Sequence, residues 1–337
     1  MKVFTTDKIK NIGIVAHGGA GKTSLTEAML FNSGAVNRLG KVDDGNTVSD
    51  YHPEEIKRKI TINTSVAPLV WKEHKLNLLD TPGYSDFIGD VKSALRVVDS
   101  VILTVCAVSG VEVQTEILWD FAAEQNLPRF IFINKMDREN ANFQKVLTQI
   151  NENFDGLITP FQLPIGAEEN FKGIVDLISM KAFSFDAQGK AIEGEPPSDI
   201  EELADEYREK LIEAAAEGDD DLIMKYLEGE ELTTDEIIFG LKKGIKENKI
   251  IPVFCGSATE NIAITNFMDS LIDFAPNPTE TVAKNSKVEG DGFAALTFKT
   301  LSDPYVGKIS FIKVFSGTLK ADSVVYNSTK ETEEKIP

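Results

Sequence analysis

A glycine-rich loop, Ala16-His17-Gly18-Gly19-Ala20-Gly21-Lys22-Thr23, follows an apolar run at residues 11–16 and leads into a segment with helical spacing through Leu25, Ala28 and Met29. Glycines at 18, 19 and 21 let successive backbone N–H groups curl around an anion, and the start of the following helix adds a partial positive charge. Lys22 is placed to reach the outer phosphates of a nucleoside triphosphate and the Thr23 hydroxyl to bind Mg²⁺, with His17 through Ser24 forming the cradle. Ala16 stands where the general phosphate-loop pattern has its first glycine.

Three more segments follow in order. Asp80-Thr81-Pro82-Gly83 comes straight after an apolar run at 76–79, so Asp80 emerges at a strand end. Its carboxylate can hold a magnesium-bound water, and the Gly83 N–H can meet a γ-phosphate. Alone, such a tetrapeptide is a turn; behind a phosphate loop it gains a role. In Asn134-Lys135-Met136-Asp137 the Asp137 carboxylate can accept from guanine N1 and N2, a donor pair adenine lacks. Asn134 can meet N7, and Lys135 can lie along the ring. Gly256-Ser257-Ala258 follows a late strand and would add a backbone N–H to guanine O6. Together these segments imply a site for GTP or GDP with Mg²⁺. Residues 38–59 are polar and end in Arg58-Lys59-Ile60-Thr61, a loop long enough to be functional. Thr61 is placed to give Mg²⁺ a second hydroxyl when a γ-phosphate is present. Spacing alone also allows it to be an ordinary strand threonine.

These residues need a scaffold that sets several strand ends side by side. β-like runs at 60–71, 75–79, 100–106, 129–134 and 250–254 alternate with helical patterns near 85–97, 112–126, 139–154 and 262–274. Alternation of this kind predicts an α/β fold with a mainly parallel sheet covered on both faces. The runs at 101–105 and 130–133 are apolar throughout and read as central strands. Residues 156–249 break the rhythm, opening with β-like pieces and turning acidic and helical, with Ser198-Asp199-Ile200-Glu201 as a capping start. They read as an α+β subdomain inserted in a nucleotide domain spanning 1–280, its charged helices either a solvated face or a docking surface. Pro276-Asn277-Pro278 predicts a helix stop, with a linker over 279–291, assigned to 281–291 as a domain boundary. Strands at 293–298, 306–315 and 323–326 then open an all-β domain over 292–337, too few to close a barrel, which suggests a fragment of a longer protein.

At 337 residues the chain exceeds one ordinary core, and 42% hydrophobic with 26% charged residues is a globular balance. A net charge of -19 argues against indiscriminate binding to phosphate backbones and against sequence-specific DNA. Cys106 and Cys255 lie far apart in apolar runs and read as reduced, buried thiols. The start carries no targeting pattern and nowhere do 18 apolar residues run together, which suits a cytoplasmic protein without a membrane partner.

With Asp303-Pro304-Tyr305-Val306-Gly307 and Phe315-Ser316-Gly317-Thr318-Leu319, these segments resemble the N-terminal half of elongation factor G over nearly the whole chain. The resemblance implies a cytoplasmic translational GTPase that uses Mg²⁺ and is stimulated at the ribosomal large-subunit GTPase centre. It also implies an insertion that contacts stalk proteins, and Thr61 as the switch threonine. Three departures stand out. Gly19 replaces an Asp beside the phosphates, which removes a carboxylate available to a monovalent cation. Lys59 replaces a glycine next to the switch. Tyr84 replaces the His that orients the attacking water, and a phenol cannot become the cation an imidazole can. The expected catalytic set is therefore Tyr84, Lys22 and Gly83, with slow hydrolysis, as in an elongation factor G-like paralogue. A GTP switch with little hydrolysis and a tetracycline-resistance-type ribosomal protection factor share the same motifs.

Overall fold

The computed structural model describes residues 3–186, 188–285, 292–303 and 305–336. The chain divides into two compact units, Met1–Thr279 and Glu280–Pro337.

The first unit begins with β1 (Ile9–Val15), α1 (Lys22–Asn32), the short α2 (Pro53–Arg58), β2 (Ser65–Trp71), β3 (His74–Asp80) and α3 (Ile88–Leu95). It continues with β4 (Ser100–Cys106), α4 (Val113–Glu124), β5 (Arg129–Asn134), α5 (Phe143–Asn153) and β6 (Leu157–Pro160). An excursion follows: β7 (Gln162–Ile165), β8 (Gly173–Asp176), β9 (Lys181–Phe185), β10 (Ala191–Gly194), α6 (Glu201–Glu217), α7 (Asp220–Leu227) and α8 (Thr234–Lys246). The chain then returns through β11 (Ile250–Cys255) to α9 (Ile264–Phe274) and α10 (Pro278–Asn285).

Seven strands form one sheet in the order β2-β3-β1-β4-β5-β11-β6. β2 runs antiparallel to β3, and the other neighbours pair in parallel. Every residue of β4 and β11 is buried, which is why these strands read as unbroken apolar runs. α9 covers one face by setting Phe267 against Phe132 at 4.7 Å and Phe254 at 5.0 Å between ring centroids. Each such buried ring contributes about 1.5–3 kcal/mol through apolar burial. Because the central strands are parallel, their C-terminal ends gather at one edge of the sheet, where ligand crevices form in open α/β folds.

β6 pairs with β11 in the main sheet, so the interruption begins at Phe161 rather than at Gly156. Within the excursion, β7 to β10 form a separate antiparallel sheet in the order β10-β9-β8-β7. Its longest helix starts at Glu201 with Ile200 as N-cap and no side-chain capping bond, so Ser198 does not cap it as expected. Arg208 of this helix donates to the carbonyls of Leu177 and Ile178, and Tyr207 donates to Gln144 at 2.9 Å, tying it to both sheets' neighbourhoods.

The linker expectation needs a correction. Residues 278–285 are helical, started by Pro278, which suits a first helical turn because its missing N–H has no intrahelical partner there. The remaining linker residues, 286–291, lie outside the described ones, as does Pro304. In the second unit β12 (Ala294–Asp303) pairs with β13 (Gly307–Ser316), and β14 (Val324–Asn327) with β15 (Thr332–Lys335). β15, Thr-Glu-Glu-Lys, has no apolar alternation and gave no sequence signal. Among the described residues, no helix is long and apolar enough to cross a membrane.

Candidate functional site

A cleft of about 460 Å³ opens at the C-terminal edge of the main sheet. The expected residues Gly18, Gly19, Gly21, Lys22, Thr23, Ser24, Thr61, Gly83, Tyr84, Lys135, Asp137 and Ala258 all line it. β1 delivers the glycine loop, β3 ends at Asp80, β5 ends at Asn134, and β11 leads into Gly256. Four strand ends thus converge on one crevice.

At one end of the cleft, Thr23 Oγ1 lies 2.9 Å from Thr61 Oγ1 and donates to Asp80 Oδ2 at 2.9 Å. Asp80 is fully buried and its Oδ1 has no hydrogen-bond partner. Burial pushes its carboxyl up to about 7 against the opposing pull of Lys22. Burial likewise pushes the Lys22 ammonium down to about 8, with Asp80 and then Asp50 opposing. The Lys22 Nζ donates to the carbonyls of Ala16 and His17, both at 3.3 Å. Two hydroxyls beside a buried, underused carboxylate make a hard-oxygen set that suits Mg²⁺. The residues present fit that ion.

Thr61 reaches this set from an irregular segment. β2 begins only at Ser65, so the strand expected over 60–71 is shorter and Thr61 belongs to the loop before it. Lys59, two residues earlier, caps α2 at φ 55°, ψ 38°, a left-handed conformation that favours glycine.

Gly83 and Gly18 approach so closely that a Cβ on Gly83 would sit 3.0 Å from Gly18 N and Cα and collide with Lys22 Nζ. A Cβ on Gly18 would lie 2.9 to 3.2 Å from atoms of the Tyr84 ring. The Tyr84 ring therefore packs directly on the glycine loop, with 45% of the residue still exposed.

The other end of the cleft is braced by Asn134, which is out of solvent. Its Nδ2 donates to Ala20 O at 3.0 Å, and its Oδ1 accepts the Ala258 N–H at 3.0 Å. Asn134 and the Ala258 amide, both expected at the purine, are joined to each other in this structure. Gly21, at φ 97°, passes so near the Asn134 amide that any side chain there would collide with it. Lys135 Nζ crosses to Gly19 O at 2.7 Å. The Arg138 Nε lies 3.6 Å from Asp137 Oδ2, while Asp137 Oδ1 is buried without a partner. That second oxygen is a ready acceptor for paired N–H donors.

Some expected residues sit behind the cleft. Ala20 is packed against Ala16 and Cys106. Ser257 is fully buried, its N–H paired with Ile262 O at 3.1 Å, and the Gly256 N–H is held by Ile133 O at 3.0 Å. The His17 ring turns away toward the start of α4, with Nε2 3.1 Å from Glu112 Oε1 and Nδ1 3.2 Å from Thr115 Oγ1. Burial lowers the pKa of His17, with Glu112 opposing.

Sequence reasoning missed Asp50, Leu39, Gly40, Lys41, Arg138 and Glu260, all of which line the cleft. Asp50 is nearly fully buried, and burial raises its pKa against the Thr61 hydroxyl. It sits in a polar loop without periodicity, so its burial left no trace in the sequence.

Residues 7–277 match the family described as the Elongation factor Tu GTP binding domain. A Thermus thermophilus protein of known crystal structure is similar at 32% identity with a TM-score of 0.88. The alignment covers 98% of this chain and 48% of that one, so the chain spans about half the length of that protein.

Proposed function

The chain belongs to the elongation factor Tu-type GTP-binding family of translational GTPases, and from that premise we propose an elongation factor G-like factor that binds and hydrolyses GTP on cytoplasmic ribosomes. One observation carries the nucleotide assignment: Asp137 of the cleft lining, and Asp80 behind the lining residue Thr23, each keep a buried Oδ1 without a hydrogen-bond partner. A carboxylate oxygen kept dry and unpaired is costly unless a ligand completes it.

In this reading the amides of residues 18 to 23 and the Lys22 ammonium hold the phosphates, and Asp137 selects guanine through N1 and N2. Asn134 keeps the glycine loop and the Ala258 segment in register. Thr23, Thr61 and Asp80 would hold Mg²⁺, which supplies charge neutralisation at the phosphates when bound. Gly83, packed beside Lys22 and Gly18, would offer its N–H to the γ-phosphate.

Tyr84 is the residue we assign to the attacking water. Its ring lies on Gly18, so its hydroxyl can hold a water by hydrogen bonding but brings no cation to it. This packing favours slow intrinsic turnover and gives weight to a second reading, a ribosome-bound GTP switch with little hydrolysis. The exposed Met224, Leu227 and Phe239 on α7 and α8 are the apolar candidates for stalk-protein contact.

The test is GTP turnover with and without ribosomes, alongside GDP and ADP titrations. Guanine-selective binding and ribosome-stimulated phosphate release are expected; equal binding of ADP would sink the assignment of Asp137. Tyr84→His should raise turnover, and equal rates would remove Tyr84 from the mechanism.

A further inference from the structure

Resting on this nucleotide reading, we infer that Glu27 is a positioning residue: it clamps the 38–61 loop to α1 so that Thr61 is presented beside Thr23. Glu27 lies one turn beyond Thr23 on the helix that carries Lys22, and it is fully buried. Its Oε1 accepts the Val48 N–H at 2.6 Å. Its Oε2 has no hydrogen-bond partner but lies against the loop at Gly40, where an added Cβ would collide with it, and the carboxylate also feels the Ser49 backbone. One carboxylate thus gathers two distant stretches of the loop, residue 40 and residues 48–49.

The hold passes along the loop toward Thr61. Ser65 Oγ donates to Ser49 O at 2.6 Å, and the next residue, Asp50, stands beside Thr61. On the near side of Thr61, Glu55 of α2 is buried and accepts the N–H groups of His52 at 3.1 Å, Ile62 at 3.0 Å and Asn63 at 2.9 Å. Asp90 of α3 accepts the Thr64 N–H at 2.8 Å. Three carboxylates from three helices therefore fix the segments flanking Thr61, and of these Glu27 belongs to the helix that also bears the phosphate-binding lysine and threonine.

The Val48 N–H bond to the carboxylate is charge-assisted and offsets part of the cost of its burial. Removing the carboxylate leaves the Val48 N–H without its acceptor and lets residues 40–50 move off α1. Thr61 then loses its place beside Thr23, while the glycine loop and Asp137 keep theirs. The clamp therefore acts on triphosphate recognition and spares diphosphate recognition.

The experiment measures affinities of GDP and of a non-hydrolysable GTP analogue, with Mg²⁺, for wild type, Glu27→Ala, Thr61→Ala and the double variant. The analogue should lose about tenfold in Glu27→Ala, the scale of one charge-assisted contact, with GDP affinity unchanged. In the Thr61→Ala background Glu27→Ala should have no further effect on the GTP-to-GDP ratio. Glu27→Gln keeps the shape and one acceptor; it should show a smaller loss in the same direction and faster amide exchange at residues 40, 48 and 49. Equal losses for both nucleotides, or additive effects with Thr61→Ala, would overturn the clamp while leaving the nucleotide site standing. Failure of wild type to bind GDP would remove the site and the clamp together.

Discussion

Asp80 and Asn134 are the last residues of two parallel strands in one sheet, both out of solvent, and the fold treats them in opposite ways. Asn134 has both ends of its amide bound by protein, so it ties the glycine loop to the β11 segment whether or not anything occupies the cleft. Asp80 keeps one oxygen unpaired and carries a carboxyl raised to about 7. The first residue serves the folded chain; in the proposed reading the second serves a ligand. Stability and binding are thus assigned to different strand ends of the same crevice.

Asp80→Asn tests the ligand side most severely. Magnesium-dependent GTP affinity should fall by more than the 10–100-fold that loss of even an outer ligand contact costs a metal site; an unchanged affinity would break the contrast. Asn134→Ala should instead lower the melting temperature of the nucleotide-free chain. It strands a buried carbonyl and a buried amide at about 1–3 kcal/mol each, or roughly 5–10 °C for a protein of this size.

The next effect is smaller and opposite in sign. Because the folded pKa of Asp80 lies above its ordinary 3.8, the folded state holds a proton that the unfolded state has released. The contribution of Asp80 to the stability of the nucleotide-free chain should therefore be fullest below about pH 4 and decline as pH rises toward about 7. Asp80→Asn should flatten that slope and raise the melting temperature at pH 7 by a few degrees, roughly 2–4 °C. Denaturant titrations across this range will show it, and a wild-type slope surviving in the variant would place the proton elsewhere. The smallest effect is expected at Lys59, held at φ 55°. Lys59→Gly should relieve about 1 kcal/mol of left-handed strain in the ordered loop, partly offset by the added freedom of glycine when unfolded. Amide exchange at Ile62 and Asn63 reports it.

The strand ends were legible in the sequence because chemistry and burial coincide there. Runs such as Val101 to Val105 are apolar throughout, and motif residues follow directly upon them. The Lys22, Thr23 and Asp80 cluster was readable for the same reason. The polar loop between α1 and β2 was not, since its order depends on Glu27, Glu55 and Asp90 accepting amides far along the chain, and long-range acceptance has no period. Even α2 escaped notice, although Pro53 opens it, Glu54 and Glu55 fill its first turn, and Lys57 and Arg58 its last. The His17 side chain left no signal of its own: Glu112 and Thr115 hold its ring behind the loop, a contact as far as 98 residues away along the chain. β6 was hidden because four residues carry too little pattern to separate a sheet edge from the excursion that follows.

β6 and β11 are parallel hydrogen-bonded neighbours, Leu157 opposite Ile250 and Pro160 opposite Val253, so the stretch from Phe161 to Lys249 leaves at one end of this strand pair and re-enters at the other, roughly 10–15 Å away. A graft whose two anchor points are pinned by one strand pair transmits little tension to its host. Its size and surface are free to diverge while the edge that bears the cleft stays fixed, and an appendage of different character could be exchanged into the same seam without re-registering the sheet.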